Sequence, residues 1–191
     1  LESELRFLAD AGCRAATLFG IASEFYKLSD DERDRLAEVV TDVGGAEGIS
    51  PVLSVTHEST RVAVERARGY EEAGADCIMV FPPRFGNPPK EKVIDHLRRI
   101  GGAVDVPVMV QHTPMNVSIS PSEFAALHGE VPNVAYFKIE VSPPGPFVTA
   151  LDEETGGSVT TLVGSAGRDM IEAYDRGAVG VMPAACWDEL Y

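Results

Sequence analysis

A lysine and a glutamate two positions apart, Lys138 and Glu140, stand in the largely apolar segment 133–141. Side chains of a β-strand alternate between two faces, so in a strand this pair shares a face with Val134 and Tyr136. The opposite face is entirely apolar: Ala135, Phe137, Ile139 and Val141. A desolvated lysine amine can attack a carbonyl carbon to form a Schiff base, and a carboxylate beside it can transfer a proton at the next carbon. The pair predicts Schiff-base chemistry, with a solvated ion pair on an edge strand as the alternative.

Polar residues also follow other apolar runs. His57 comes directly after one, at the carboxyl end of a predicted strand, where a contact with a substrate is expected. Strand parity separates Gln111 from the neighbouring valines and places His112 with them, so Gln111 is the expected pocket residue and His112 is expected to face the helices. His96 and His128 lie in charged helical surroundings and are expected to face solvent.

Seven apolar runs, most of them followed by an amphipathic stretch, set the framework for these residues: approximately residues 14–20, 51–56, 76–82, 106–113, 133–141, 158–164 and 179–183. Repeated strand–helix units without tight hairpin turns predict parallel strands joined by crossover helices, and therefore an α/β fold. Helix starts are marked by Ser29 with Glu32 and by Ser120 with Glu123, which are capping-box patterns. Helix ends are expected at the glycine pairs 44–45, 101–102 and 156–157.

Two folds fit this rhythm, an open doubly wound sheet and a (β/α)8 TIM barrel. A doubly wound nucleotide-binding sheet carries a glycine-rich phosphate loop after its first strand, and neither GxGxxG nor GxxxxGK[ST] occurs in the chain. The nearest sequence, GSAG at residues 164–167, fits a tight turn better than an anion site. The barrel is therefore favoured. In it Lys138 and Glu140 would point inward at the carboxyl end of a strand, where such barrels hold their active sites.

The chain has 191 residues, with 16 basic and 30 acidic side chains and a formal net charge of −14. This balance argues against nucleic acid and anionic membrane surfaces as partners, because binding to either depends on positive charge. No apolar run approaches the roughly 18 residues of a membrane span. The three cysteines, Cys13, Cys77 and Cys186, lack the spacing of a zinc site. A cytoplasmic protein without a metal is expected.

At these residues the chain resembles the dihydrodipicolinate synthase and N-acetylneuraminate lyase family, and the resemblance covers essentially all of it. Lys138 matches the lysine that forms a Schiff base with a 2-keto acid on the sixth strand of that family's (β/α)8 barrel. Residues 20–24, which read GIASE, match its GTTGE segment, and residues 177–183 resemble its eighth strand. The resemblance implies a Schiff-base enzyme that needs no cofactor, acts on a small 2-keto acid and forms a homo-oligomer, commonly a tetramer.

The chain also departs from the common pattern of that family. The YNxP motif reads QHTP at residues 111–114, so Gln111 replaces the tyrosine that relays protons in synthases and lyases. The two threonines that hold the substrate carboxylate read Ile21 and Ala22, and the arginine that synthases use for a second substrate aligns with Asn116. These departures argue against the lysine-biosynthetic condensation and against sialic-acid cleavage.

The L-2-keto-3-deoxyarabonate dehydratase branch shares these departures, and the chain resembles it at residues 19–24, 56–57, 109–111 and 136–140. The resemblance implies that Lys138 forms an iminium at C2 and that Glu140, as acid/base, takes a C3 proton before the C4 hydroxyl leaves. It places His57 near the substrate hydroxyls and Arg84 where the branch carries a tyrosine. The expected substrate contacts are Ala22, Ser23, Gln111, Arg84 and Gly164.

Two other functions stay open. A retro-aldol lyase or synthase of the same family would use the same lysine, and a non-catalytic keto-acid-binding relic would keep the fold without turnover. A (β/α)8 barrel takes about 200 residues or more, whereas this chain is expected to begin at the first helix and to stop just after the eighth strand. Residues 1–191 are therefore expected to form a single barrel domain that lacks strand 1 and the C-terminal helices and is incomplete at both ends.

Overall fold

A computed structural model of the chain describes residues 1–115 and 117–183, which form one β-sheet covered by helices. The strands are β1 Ala15–Leu18, β2 Ser50–Ser54, β3 Cys77–Val80, β4 Val108–His112, β5 Val134–Ile139, β6 Thr160–Val163 and β7 Gly180–Val181. The helices are α1 Glu2–Asp10, α2 Asp30–Ala46, α3 Thr60–Glu72, α4 Lys90–Gly101, α5 Pro121–Glu130, α6 Gly145–Thr155 and α7 Met170–Asp175. Each strand lies within a predicted run, except that β2 begins one residue earlier. The predicted α/β fold is confirmed; Asn116 and Cys186 lie outside the described residues.

The strands pair in the order in which they occur along the chain, and every pair is parallel. A doubly wound sheet reverses its strand order part-way, so this alternative is wrong. The sheet is curled, as shown by the Thr17 hydroxyl on the first strand, β1, which lies 3.2 Å from the sulfur of Met182 just after the last strand, β7. An apolar cluster fills the inside of the curl: Val52, Cys77, Met79 and Met109 with Tyr136, Leu162 and Met182. The geometry is that of part of a barrel.

Capping boxes begin α2 and α5, as the sequence predicts. The Ser29 hydroxyl accepts the Glu32 N–H at 3.3 Å, and the Glu32 carboxylate accepts the Ser29 N–H at 2.8 Å. Ser120 and Glu123 repeat this arrangement at 3.2 and 2.8 Å. Residues 44–45 lie in the last turn of α2, which ends one residue beyond them at Ala46, so the helix end expected at this glycine pair is confirmed to within one residue. Across the described ranges, no helix combines the length and apolar character needed to cross a bilayer.

A β-bulge in β5 shifts the alternation of its side chains. Val108 pairs with Val134, whereas Met109 pairs with Tyr136, which leaves Ala135 as an extra residue on β5. Val134 therefore packs in the main core between the sheet and the helices, and its predicted place on the inner face is wrong. Beyond the bulge the predicted alternation holds, which matters because the candidate site lies there.

His96 is buried and His128 is half-buried, so the expectation that both face solvent is wrong for His96 and holds only in part for His128. His96 is only 2% exposed, because it lies on the buried face of α4 with Ile100, and its Nδ1 lies 2.9 Å from the Thr60 hydroxyl. Burial lowers the pKa of His96 to about 4. His128 is half-buried, and its Nδ1 lies 3.0 Å from the carbonyl oxygen of Val134. Both side chains join neighbouring elements of the fold.

Candidate active site

Lys138 and Glu140 meet at the carboxyl edge of the sheet. Lys138 is the last but one residue of β5, and its Nζ lies 3.2 Å from Glu140 Oε1. The two side chains are only 11% and 17% exposed. Because β5 lies between β4 and β6, the alternative of a solvated pair on an edge strand is wrong. At this separation a proton can pass between the amine and the carboxylate.

Gln111 binds the second oxygen of this carboxylate. It pairs with Lys138 across the β4–β5 ladder and is almost wholly buried. Its Nε2 donates to Glu140 Oε2 at 2.8 Å, and the main-chain N–H of Glu140 donates to the carbonyl of His112 at 2.8 Å. The His112 ring faces the helices, as predicted, with its centroid 5.4 Å from that of Phe137. Glu140 is thus held at its main chain and at both carboxylate oxygens.

Gly164 provides the space that the Glu140 side chain occupies. It directly follows β6, and its N–H donates to the carbonyl of Ile139 at 2.8 Å. A Cβ atom on residue 164 would lie 2.6 Å from Glu140 Cδ, which is closer than real Cβ contacts come. Residues 165–167 form a 3-10 turn, in agreement with the predicted tight turn. Gly164 therefore packs against the predicted acid/base, and its contact with a substrate stays a prediction.

His57 lies between β2 and α3 and is half-buried. Its Nδ1 accepts the N–H of Ser59 at 2.9 Å, so the neutral ring carries its proton on Nε2 and can donate from there. Thr56, the residue before His57, is fixed by two hydrogen bonds. Its hydroxyl lies 2.8 Å from the Ser54 hydroxyl and accepts the N–H of Phe81 at 2.9 Å. These bonds fix the start of the loop that carries His57.

The remaining predicted contacts are in exposed loops. The Arg84 guanidinium lies 5.8 Å from the centroid of the Phe81 ring, and its main-chain N–H donates to Glu58 Oε2 at 3.1 Å. Ala22 and Ser23 lie in a 3-10 turn that follows β1. Of the predicted substrate contacts, Gln111 on β4 binds the Glu140 carboxylate and Gly164 after β6 lies next to it. Within the described residues, no hydrogen bond joins Ala22, Ser23 or Arg84 to this carboxylate.

Arg33 is a buried cation in the first turn of α2 that no motif in the sequence marks as a site residue. Arg33 is only 2% exposed. It donates from Nη2 to the carbonyl of Ser54 at 3.1 Å and from Nη1 to the carbonyl of Phe25 at 3.4 Å. The signal for its burial is helical spacing, because residues 33, 37, 40 and 44 are the buried positions of α2.

The arrangement combines three functional groups: the Lys138 amine, the Glu140 carboxylate and the Gln111 amide. All three lie at one edge of the sheet, largely shielded from water. Such a set suits addition to a carbonyl group followed by proton transfer at a neighbouring carbon. Within residues 1–115 and 117–183, no three His, Cys, Asp or Glu side chains are grouped so that they could hold a metal ion.

A parallel sheet that curls around its own side chains, with a lysine and a carboxylate at the carboxyl ends of its strands, defines a protein of the β/α-barrel class. Comparison with known families identifies the chain further. The chain belongs to the dihydrodipicolinate synthetase family, whose model matches residues 1–186. The family resemblance seen in the sequence is thereby confirmed.

Individual relatives agree with this assignment. L-2-keto-3-deoxyarabonate dehydratase of Azospirillum brasilense is 31% identical over 139 residues, which are 70% of this chain and 44% of that protein. 4-Hydroxy-tetrahydrodipicolinate synthase of Prochlorococcus marinus (strain MIT 9303) is 31% identical over 183 residues, or 94% of this chain and 59% of that protein. The crystal structure of dihydrodipicolinate synthase from Aquifex aeolicus has a TM-score of 0.89 at 22% identity, covering 96% of this chain and 62% of that one. The chain thus spans about half the length of the curated relatives that it matches.

Proposed function

We propose that this chain is part of a lyase that dehydrates a 2-keto-3-deoxy sugar acid through a Schiff base on Lys138. The observation that carries the proposal is the buried Lys138–Glu140 pair, 3.2 Å apart and bound by Gln111. The similarity to an L-2-keto-3-deoxyarabonate dehydratase supports the substrate class. The catalytic unit in this proposal is a cytoplasmic, homotetrameric (β/α)8 barrel, to which the described residues contribute seven strands.

The chemistry begins with a proton transfer from Lys138 to Glu140, which leaves a neutral amine. The amine adds to the C2 carbonyl of the substrate, and Glu140 returns its proton to the departing hydroxyl, so that water leaves, an iminium ion forms and Glu140 becomes a carboxylate again. The positive iminium acidifies C3, and Glu140 in its carboxylate form removes a C3 proton to give an enamine. Protonation of the C4 hydroxyl by Glu140 then expels water and creates a C3–C4 double bond. Hydrolysis of the remaining iminium releases the dehydrated keto acid and restores the lysine.

Gln111 has a definite part in this sequence. By donating to Oε2 it leaves Oε1 directed at Lys138, so the oxygen that moves the proton stays beside the nitrogen that carries the iminium. An amide donor also stabilises the ionised carboxylate between proton transfers. The family tyrosine that Gln111 replaces is then unnecessary, because the proton relay has moved to the carboxylate two residues beyond the lysine.

The substrate contacts in the proposal come from the loops at the same edge. Ala22 and Ser23 lie beside the substrate carboxylate, His57 donates from Nε2 to a substrate hydroxyl, and Arg84 lies at the far end of the sugar acid. Gly164 lines the pocket next to Glu140. The support is their common position after the carboxyl ends of β1, β2, β3 and β6, where β/α barrels bind their substrates.

A retro-aldol lyase or a synthase is the second candidate. It is supported by the 31% identity to a 4-hydroxy-tetrahydrodipicolinate synthase over 94% of this chain. Both reactions share the Schiff base and differ in the bond that breaks or forms next. A retro-aldol reaction breaks the C3–C4 carbon bond and releases pyruvate, whereas dehydration breaks the C4–O bond and keeps every carbon in one product.

Product analysis separates these functions. A panel of 2-keto-3-deoxy sugar acids is incubated with the protein and followed by NMR and by a pyruvate assay. The proposal predicts a dehydrated keto acid without pyruvate from at least one member. Pyruvate as the product would establish the retro-aldol lyase, and keto acids that are bound at Lys138 but unchanged after hours would identify a non-catalytic relic.

A further inference from the structure

The guanidinium of Arg33 is buried beside the loop between β1 and α2. Arg33 is 2% exposed, and none of the ion pairs formed by the described residues includes it. An unpaired buried charge is costly unless other groups replace its hydration. The neighbours of Arg33 therefore show what holds it there.

Main-chain carbonyls and aromatic faces surround this cation. Its two terminal nitrogens donate to two separate segments, to Phe25 in the β1–α2 loop at 3.4 Å and to Ser54 at the end of β2 at 3.1 Å. The guanidinium carbon lies 4.4 Å from the ring centroid of Phe19 and 5.5 Å from that of Phe25. Arg33 thus contacts three residues on two chain segments through two nitrogens and the face of its guanidinium, which the single nitrogen of a lysine does not offer.

The segment held in this way has a constrained backbone. Phe19 has a φ of +64°, in the left-handed region that side chains other than glycine rarely adopt. Its ring is fully buried, with the Arg33 guanidinium carbon 4.4 Å and the Tyr70 ring centroid 5.7 Å from its own centroid. Such a conformation persists only where the surroundings over-determine it. The contacts with Arg33 and Tyr70 hold Phe19 in this conformation, directly before residues 20–24.

The other contact of Arg33 leads toward His57. The carbonyl of Ser54 accepts from Arg33, while the hydroxyl of the same serine lies 2.8 Å from that of Thr56. Thr56 is the residue before His57. One side chain therefore connects the turn that contains Ser23 with the loop that carries His57.

We propose that Arg33 is a positioning residue that holds residues 19–25 against the carboxyl end of β2, in the geometry that binds the carboxylate group of a 2-keto acid. This inference rests on the proposed function for the identity of the ligand. The coupling of the two loops through one guanidinium does not depend on that function, because it follows from the contacts of Arg33 with Phe19, Phe25 and Ser54.

The test compares Arg33→Lys with Arg61→Lys as a matched control, since Arg61 is an exposed arginine on α3 that forms a helical ion pair with Glu65. Borohydride trapping is titrated with pyruvate and with its neutral methyl ester. Arg33→Lys is expected to raise the half-saturating pyruvate concentration about tenfold, the size of one lost charge-assisted hydrogen bond. The half-saturating concentration of the ester, which lacks the carboxylate charge, should change by less than about twofold. Arg61→Lys should leave both half-saturating concentrations unchanged.

A merely structural role would weaken trapping of acid and ester alike, and that result overturns the inference. Hydrogen exchange gives a second readout that needs no ligand: Arg33→Lys should speed amide exchange in residues 19–28 and 54–57 relative to the control. Unchanged exchange there also overturns it. If the unmodified protein traps neither probe, the proposed function fails while the exchange experiment still decides whether Arg33 couples the loops.

Discussion

The carboxylate of Glu140 lies directly against the backbone of Gly164, in space that any larger residue would take. A Cβ at position 164 would stand 2.6 Å from Glu140 Cδ. Gly164→Ala should therefore displace the carboxylate from Lys138 and from Gln111, and reduce turnover by at least about tenfold while keto acids still label the lysine. Steady-state kinetics and borohydride trapping measure the two effects.

Gly69→Ala is the matched control for this substitution. Residue 69 lies within α3, and a Cβ there would meet nothing within 4 Å. The control should keep full activity, and alanine should stabilise the helix by up to about 1 kcal/mol. Turnover that is unaffected by Gly164→Ala would contradict the assigned place of Glu140.

Glu140→Gln tests the carboxylate as the group that moves the proton. The amide keeps the size of the side chain but cannot accept a C3 proton, so turnover should fall by about a hundredfold or more, the usual range for general acid–base catalysis. Formation of the iminium at Lys138 should persist, although more slowly. Rapid mixing with a keto acid followed by borohydride separates the steps, and near-normal turnover would remove Glu140 from the mechanism.

His96 should make the fold less stable in mild acid. Burial lowers its pKa in the folded chain to about 4, from 6.5 for the free side chain, and burial lowers the pKa of His112 as well. Because the unfolded chain takes up the proton first, the stability contributed by neutral His96 is complete above about pH 6.5 and is lost as the pH falls toward 4. At pH 5 the loss should be about 2 kcal/mol.

Urea unfolding at pH 7.5 and pH 5 measures this loss. His96→Gln should reduce the difference in the free energy of unfolding between the two pH values. If His96→Gln unfolds with an undiminished pH dependence, protonation of His96 is not what destabilises the fold.

Cysteine reactivity reports whether the interior of the curled sheet is closed. Cys77 lies in the inner cluster, and burial raises the pKa of its thiol to about 12, so it holds almost no thiolate at pH 8. Cys13 is exposed. Iodoacetamide at pH 8 should modify Cys13 in the folded chain and Cys77 only after denaturation, as measured by peptide mass mapping. Equal labelling of the two in the folded chain would show that the interior is open to solvent.

Strand parity predicts much of the site because it is a local property of the chain. It places Lys138 and Glu140 on one face and separates Gln111 from His112, and the structure has all four as expected. Parity fails at Val134, since the bulge at Ala135 depends on the register with β4 and has no signal within β5 itself.

Buried charged and polar side chains were harder to predict. Arg33 and His96 both stand at buried positions of amphipathic helices, where residue type favours solvent but spacing favours the core. Their burial depends on partners distant in the sequence, the carbonyl of Ser54 for Arg33 and the hydroxyl of Thr60 for His96. The role of Gly164 could not be predicted for a similar reason, because only the folded structure shows that the Glu140 side chain fills the space next to it.

Borohydride trapping of a keto acid, followed by mass mapping of the modified peptide, shows directly whether Lys138 is the Schiff-base residue. A single reduced adduct on Lys138 is expected, formed with pyruvate or with a 2-keto-3-deoxy sugar acid, and no adduct is expected in Lys138→Arg. Lys27, an exposed lysine after β1, should stay unmodified and serves as the internal control. A folded protein that forms no adduct at Lys138, or forms it equally at Lys27, would contradict the assignment of a Schiff-base site.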